Sequence, residues 1–161
     1  MKMVVLGPQR SGSTFISQCL AKSSSCRHID ESEFDVYFLD WFFRIADGNE
    51  SWVAHAPGLF VDVFKILERY PDVTFSIIHR PIPEILASQN RINWNDEKER
   101  QRLNLLSTDT RNTCEVKYMY WDMWKPFLPS WKEYNYRDFE THPDWVPDEK
   151  RVDFDPKQWE I

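Results

Sequence analysis

Residues 3–15, MVVLGPQRSGSTF, contain an apolar run, a turn with two glycines and the start of an amphipathic segment. The run over residues 3–6 is apolar throughout, which is typical of a short strand that is buried on both faces of a sheet. Gly7 and Pro8 end that run, and the pattern over residues 12–22 predicts a helix. The stretch therefore predicts a strand, a loop and a helix in that order.

The rest of the chain repeats this alternation of strands and helices. Helical spacing, capping residues and prolines predict helices over residues 33–45, 58–70, 81–88 and 96–128, and short β-rich runs predict strands before Glu31 and over 52–54, 73–78 and 133–136. This order is typical of a three-layer α/β fold, with a central parallel sheet flanked by helices and ligands at the carboxyl ends of the strands. No repeat or Gly/Ser linker divides the chain, so we expect one domain over residues 1–161.

Charge and cysteine content exclude several classes of protein. The chain has 20 Lys and Arg against 26 Asp and Glu and concentrates no basic face, which argues against a nucleic-acid partner. No apolar run reaches the length of a signal sequence or a membrane span, so we expect a cytoplasmic protein. Cys19, Cys26 and Cys114 lack the spacing of a zinc site and predict neither a disulfide framework nor a metal site.

Gly7 and Gly12 frame the G-x-x-x-x-G pattern of a phosphate-binding loop, or P-loop. Glycines let backbone N–H groups converge on phosphate oxygens, and the amino terminus of the next helix adds partial positive charge. The lysine position of nucleoside-triphosphate P-loops is Ser13 here, which weakens an ATPase or kinase interpretation. Arg10 supplies a cation inside the loop instead. The sequence thus predicts a three-layer P-loop fold with a locally held anion.

The residues of this loop resemble those of the sulfotransferases that use 3′-phosphoadenosine-5′-phosphosulfate (PAPS). Members carry P-[RK]-S-G-[ST]-[ST] at the first strand-to-helix turn, and this chain has its proline one position early, at Pro8. The resemblance implies that PAPS is bound and its product 3′-phosphoadenosine-5′-phosphate (PAP) is formed without a metal. The implied cofactor-binding residues in the loop are Gln9, Arg10, Ser11, Gly12, Ser13, Thr14 and Phe15.

A second motif of the same family binds the 3′-phosphate through an Arg at a strand end and a Ser eight residues later. Arg80 and Ser88 have this spacing. The alternative is an ion pair between Arg80 and Glu84 beside a solvated Ser88. Residues 134–139, YNYRDF, resemble a third family segment that would place Tyr136 near the nucleotide, with a packed aromatic side chain as the alternative.

The resemblance also implies catalytic roles for Arg10, Glu31 and His55. Arg10 would stabilise charge on the departing phosphate oxygen. Glu31 lies twenty-one residues after Arg10, the separation at which the tyrosylprotein branch (the Golgi-type members) places a catalytic Glu, so we expect it to be the general base. Asp30 and Glu33 are alternative bases, and Glu31 would otherwise cap or flank the following helix. His55, after the third strand, would be a second base or a donor, unless it is a structural histidine.

These motifs predict a sulfotransferase that moves the sulfuryl group of PAPS to a hydroxyl or amine. The acceptor stays open among small molecules, carbohydrates, lipids and peptides, because one fold serves many acceptors. A small P-loop kinase and a non-catalytic nucleotide-binding protein are the two alternatives. The kinase would require magnesium and bind ATP.

Overall fold

Five strands form one sheet in the order β2-β3-β1-β4-β5 in the computed structural model, which describes residues 1–106 and 109–147. The strands are β1 (Lys2–Leu6), β2 (Arg27–Ile29), β3 (Trp52–His55), β4 (Thr74–His79) and β5 (Trp131–Asn135). Each pair of neighbouring strands is parallel, so all five carboxyl ends lie at one edge. The predicted α/β class is confirmed. Residues 107–108 and 148–161 of the predicted domain lie outside the described residues.

Among the described residues, six helices and four short 3₁₀ turns lie between or after these strands. The helices are α1 (Ser13–Ser23), α2 (Leu39–Asp47), α3 (Val63–Arg69), α4 (Ile82–Arg91), α5 (Glu97–Arg102) and α6 (Thr110–Trp124). The 3₁₀ turns span Glu31–Glu33, Pro57–Asp62, Lys125–Phe127 and Tyr136–Phe139.

Two hydrophobic cores cover the two faces of the sheet. Successive side chains of a strand point to opposite faces, and β1 sends Val4 and Leu6 into one core and Met3 and Val5 into the other. The first core also takes residues from α2, α3 and α6, whereas the second takes residues from α1. Helices therefore flank the sheet on both sides, which gives the predicted three layers and places β1 at their centre.

The helix predicted over residues 33–45 is wrong in its first half. Asp30 and Glu33 form a capping box, but the turn that it caps is the 3₁₀ turn Glu31–Glu33. Asp35 and Val36 then adopt φ of 58° and 54°, a left-handed conformation that a helix does not contain, and α2 begins only at Leu39. The capping residues therefore start a single 3₁₀ turn and not a helix.

The long helix predicted over residues 96–128 is two helices. Asn104 has a φ of 56° after the end of α5, and Asp109 caps α6 by accepting a hydrogen bond from the Arg111 N–H. The predicted helix over residues 58–70 is also divided, because Leu59 departs from helical geometry within a 3₁₀ turn before α3. Helix α6 contacts the ends of β1 and β4 through Lys117 and Tyr118.

Candidate functional site

The predicted phosphate loop lies at the carboxyl edge of the central strand, between β1 and α1. Gly7 and Gly12 have positive φ of 149° and 92°, and Arg10 shares this conformation at 71°. The first N–H groups of α1 have no intrahelical partner and carry the positive end of its dipole. The loop thus has the backbone features of an anion cradle.

Four successive carbonyl groups of this loop accept hydrogen bonds from the protein. A carbonyl held by a protein donor does not turn towards a bound anion, whose charge it would oppose. The pairs are Gly7 O with Lys117 Nζ (3.4 Å), Pro8 O with Ser11 N (3.1 Å), Gln9 O with Gln89 Nε2 (3.0 Å) and Arg10 O with Arg80 Nη1 (2.8 Å). Three of the four donors are side chains from outside the loop, so distant parts of the chain fix its shape.

Arg10, Arg80 and Ser88 meet beside the loop, although the two motifs lie some seventy residues apart. Arg10 Nε donates to Ser88 Oγ at 3.0 Å, and the Arg80 guanidinium stacks at 3.9 Å over the ring of Tyr136. Glu84 forms an ion pair with Arg137 at 2.5 Å, which provides it with a partner other than Arg80. Two guanidinium groups and one hydroxyl group therefore lie together on one side of the loop.

Tyr136 packs against the backbone of the loop. It is 4% exposed, and a Cβ added to Gly12 would lie 2.4 Å from its ring. The ring of Trp145 lies edge-on at 4.8 Å from Tyr136 and at 5.3 Å from Phe15. Phe15 and Tyr136, both expected at the nucleotide, belong to one aromatic cluster that supports the loop and Arg80.

His55 lies on the other side of the loop in a buried hydrogen-bonded chain. Its Nε2 is 2.8 Å from Ser13 Oγ and 3.4 Å from Thr14 Oγ1, and its Nδ1 is 3.1 Å from Asp30 Oδ1. Burial lowers the His55 pKa, but the charges of Glu31 and Asp30 outweigh burial and raise the pKa above its ordinary value. Both ring nitrogens of His55 are therefore engaged, Nδ1 with the Asp30 carboxylate and Nε2 with the hydroxyl groups of α1.

Glu31 lies next to this chain and carries a carboxylate oxygen with no protein partner among the described residues. Its Oε2 is buried, and burial raises the pKa of the carboxyl, as do the negative charges of Asp30 and Glu99. Asp30 differs, because hydrogen bonds from His55 and Ser32 outweigh burial and lower its pKa. Asp30 is thus the partner of His55, and Glu31 is the carboxylate with a free acceptor.

Sequence reasoning missed four residues of this site that α4, α5 and α6 supply. Tyr118 accepts from the Arg80 N–H at 3.1 Å and donates to Ile78 O at 2.8 Å, which fixes the backbone where β4 ends. Lys117, Glu99 and Gln89 contact the loop itself. No local sequence motif identifies these four residues, because they come together only when α4, α5 and α6 pack against the loop.

Within residues 1–106 and 109–147 no group of three or more His, Cys, Asp or Glu side chains is arranged to hold a metal ion. The same residues include no helix of sufficient length and apolarity to span a bilayer.

The sequence matches no family model, and no curated protein matches it. Two solved structures resemble the fold. A gluconokinase from Sinorhizobium meliloti 1021 has a TM-score of 0.49 and 10% identity, over 83% of this chain and 81% of its own. An uncharacterized protein from Eubacterium ventriosum ATCC 27560 has a TM-score of 0.44 and 9% identity, over 84% and 89%. Likeness at this level indicates nothing about the ligand.

Proposed function

We propose that this protein is a PAPS-dependent sulfotransferase. The observation that carries the proposal is the meeting of Arg10, Arg80 and Ser88 beside the phosphate loop. A nucleotide held only by its 5′-phosphates needs one anion site, whereas PAPS carries a 3′-phosphate as well. A second group of charged and hydroxyl donors next to the loop suits that second phosphate.

The residues of the loop fit the 5′ end of such a ligand. Ser11 is fully buried, and its Oγ has no hydrogen-bond partner among the described residues, so it can donate to an anion in the loop. Ser13 and Thr14 place two hydroxyl groups at the first turn of α1, where a nucleoside-triphosphate site would have a lysine. Gln9 and Gly12 supply backbone N–H groups, and Phe15 belongs to the aromatic cluster that supports the loop.

PAPS supplies a sulfuryl group on an activated phosphate. In our proposal Glu31 takes the proton of the acceptor, because its buried Oε2 has no partner among the described residues and burial raises the pKa of the carboxyl above its ordinary value. We assign His55 the role of a donor, because its Nε2 lies 2.8 Å from Ser13 Oγ in the first turn of α1. Arg10 adds positive charge on the opposite side.

A calorimetric titration of PAP against ATP with magnesium tests the proposal. Wild type should bind PAP, and Arg80→Ala should weaken binding on the order of 30-fold, the loss expected for a charge-assisted phosphate contact. Arg69→Ala is the matched control, because Arg69 pairs with Asp47 on the surface away from the loop. Equal PAP affinity in wild type and Arg80→Ala would refute the 3′-phosphate site.

A small P-loop kinase is the second candidate, and Lys117 is the observation that favours it. Its ammonium reaches the loop from α6, although the sequence lacks a lysine at position 13. A kinase should prefer ATP with magnesium over PAP in the same titration. Binding of PAP without turnover of any hydroxyl or amine acceptor would instead favour the non-catalytic nucleotide-binding protein.

A further inference from the structure

A lysine on α6 is buried directly beneath the phosphate loop. Lys117 is 1% exposed, and its Nζ donates to Glu99 Oε1 at 2.8 Å, Pro57 O at 3.3 Å and Gly7 O at 3.4 Å. Gly7 begins the loop, and Pro57 follows the strand that carries His55. The ammonium therefore connects the ends of the two strands on which the candidate site is built.

Glu99 provides a second connection between Lys117 and the loop, through the Gln9 side chain. Gln9 Nε2 donates to the same Glu99 Oε1 at 3.2 Å, and Gln9 O accepts from Gln89 Nε2 at 3.0 Å. None of these four side chains belongs to a residue that is more than 6% exposed. One buried polar chain thus runs from α4 through the loop to α5 and α6.

Stability alone does not explain a buried ion pair at this place. Two charges lose most of their hydration when they are buried, and apolar side chains of similar volume often stabilise a fold equally well or better. An apolar pair here would leave the Gly7 carbonyl and the Gln9 amide without these partners. The ion pair therefore contributes more to the geometry of the loop than to the stability of the core.

We propose that Lys117 is a positioning residue for the phosphate loop. It binds the Gly7 carbonyl directly and holds the Gln9 side chain through Glu99. A carbonyl turned towards the anion would oppose its charge, so holding the carbonyl outward raises the affinity of the loop for phosphate. This role applies to any phosphate in the loop and does not depend on sulfuryl transfer.

The test compares wild type with the double variant Lys117→Met/Glu99→Gln, which removes both charges together. Lys125→Met is the matched control, because Lys125 pairs with Asp122 and Glu133 just beyond α6 and away from the loop. The probe is inorganic pyrophosphate, titrated by calorimetry. We expect the double variant to bind it about tenfold more weakly, the effect of losing roughly one charged hydrogen bond.

Selective ¹⁵N-glycine labelling reports on the geometry of the loop separately from its affinity for pyrophosphate. The chain has four glycines, and Gly48 at the end of α2 is an internal reference remote from the loop. In the double variant the amide resonances of Gly7 and Gly12 should shift, while that of Gly48 stays in place. Lys117→Gln keeps an N–H donor, so it should give smaller changes and provides a second variant if the first does not fold.

Pyrophosphate affinity equal to wild type in both Lys117 variants would overturn the positioning role, as would unmoved Gly7 and Gly12 resonances. A different result would refute the proposed function. A wild type that does not bind PAP, but binds pyrophosphate in a manner that depends on Lys117, would refute the sulfotransferase and leave the positioning role supported.

Discussion

Replacing Gly12 by alanine tests how the phosphate loop is packed. Gly12 has a φ of 92°, and an added Cβ would lie 2.4 Å from Tyr136 Cδ2 and 2.7 Å from Cε2. Carbon atoms in contact are roughly 3.5–4.0 Å apart, so the ring would have to move by more than about 1 Å. Arg80, stacked on the ring, and Trp145, packed against it, restrict that movement.

Two terms contribute to the expected loss of stability. The left-handed backbone costs alanine roughly 1–2 kcal/mol, and overpacking against a buried ring costs about 1–3 kcal/mol more. The free energy of unfolding should therefore fall by about 2–5 kcal/mol, out of a total that is typically 5–15 kcal/mol. In a chain of this length that change lowers Tm by about 4–20 °C.

Urea unfolding followed by circular dichroism measures this loss. Gly48→Ala is the matched control, because Gly48 has a φ of −78° and its added Cβ would meet nothing nearer than 3.4 Å. Repeating Gly12→Ala in a Tyr136→Leu background should recover the overpacking part, roughly 1–3 kcal/mol, and leave the backbone part. A Gly12→Ala variant as stable as wild type, or an equal loss in both backgrounds, would refute the packing described here.

Three further predictions concern titratable groups. Burial lowers the His28 pKa from 6.5 to about 4, so the free energy of unfolding should fall as the pH drops from 6.5 to 4, and it should fall less in His28→Gln. Unfolding free energies that depend equally on pH in wild type and His28→Gln would contradict this. Burial raises the thiol pKa values of Cys19 to about 11 and Cys114 to about 12, so iodoacetamide at pH 8 should label Cys26 first, as peptide mass spectrometry can check. Glu31→Gln should lower the His55 pKa measured by NMR titration, because a nearby negative charge is removed. A His55 pKa equal to that of wild type would show that the Glu31 charge does not act on His55.

Local patterns were sufficient for the loop and its flanking elements. The loop of residues 7–12 and helix α1 could be predicted because glycine freedom, a proline break and helical spacing act between near neighbours. The spacing of Arg80 and Ser88 placed both at the end of β4 and on α4, where the structure has them. Their contact with Arg10 follows from the parallel sheet, because all strands end at one edge.

The first half of the helix predicted over residues 33–45 could not be corrected from sequence. Phe34 and Phe42 are both fully buried, and their ring centroids lie 5.3 Å apart. A continuous helix would separate residues eight apart by about 12 Å along its axis. The chain therefore turns back through Asp35 and Val36, because the core gains more from joining the two rings than local propensity gains from one long helix.

By itself the sequence determined the class of fold and the place of the phosphate loop, because both depend on residues close together in the chain. Its resemblance to the sulfotransferases singled out Arg10, Arg80, Ser88, Glu31 and His55 as candidates. Only the tertiary structure decided which of them meet and what holds them. It joined His55 to Asp30 and left Glu31 with a free oxygen, and it placed Lys117 and Glu99 beneath the loop. Such contacts link residues up to 110 positions apart, and the packing of α5 and α6, which no local pattern encodes, brings them together.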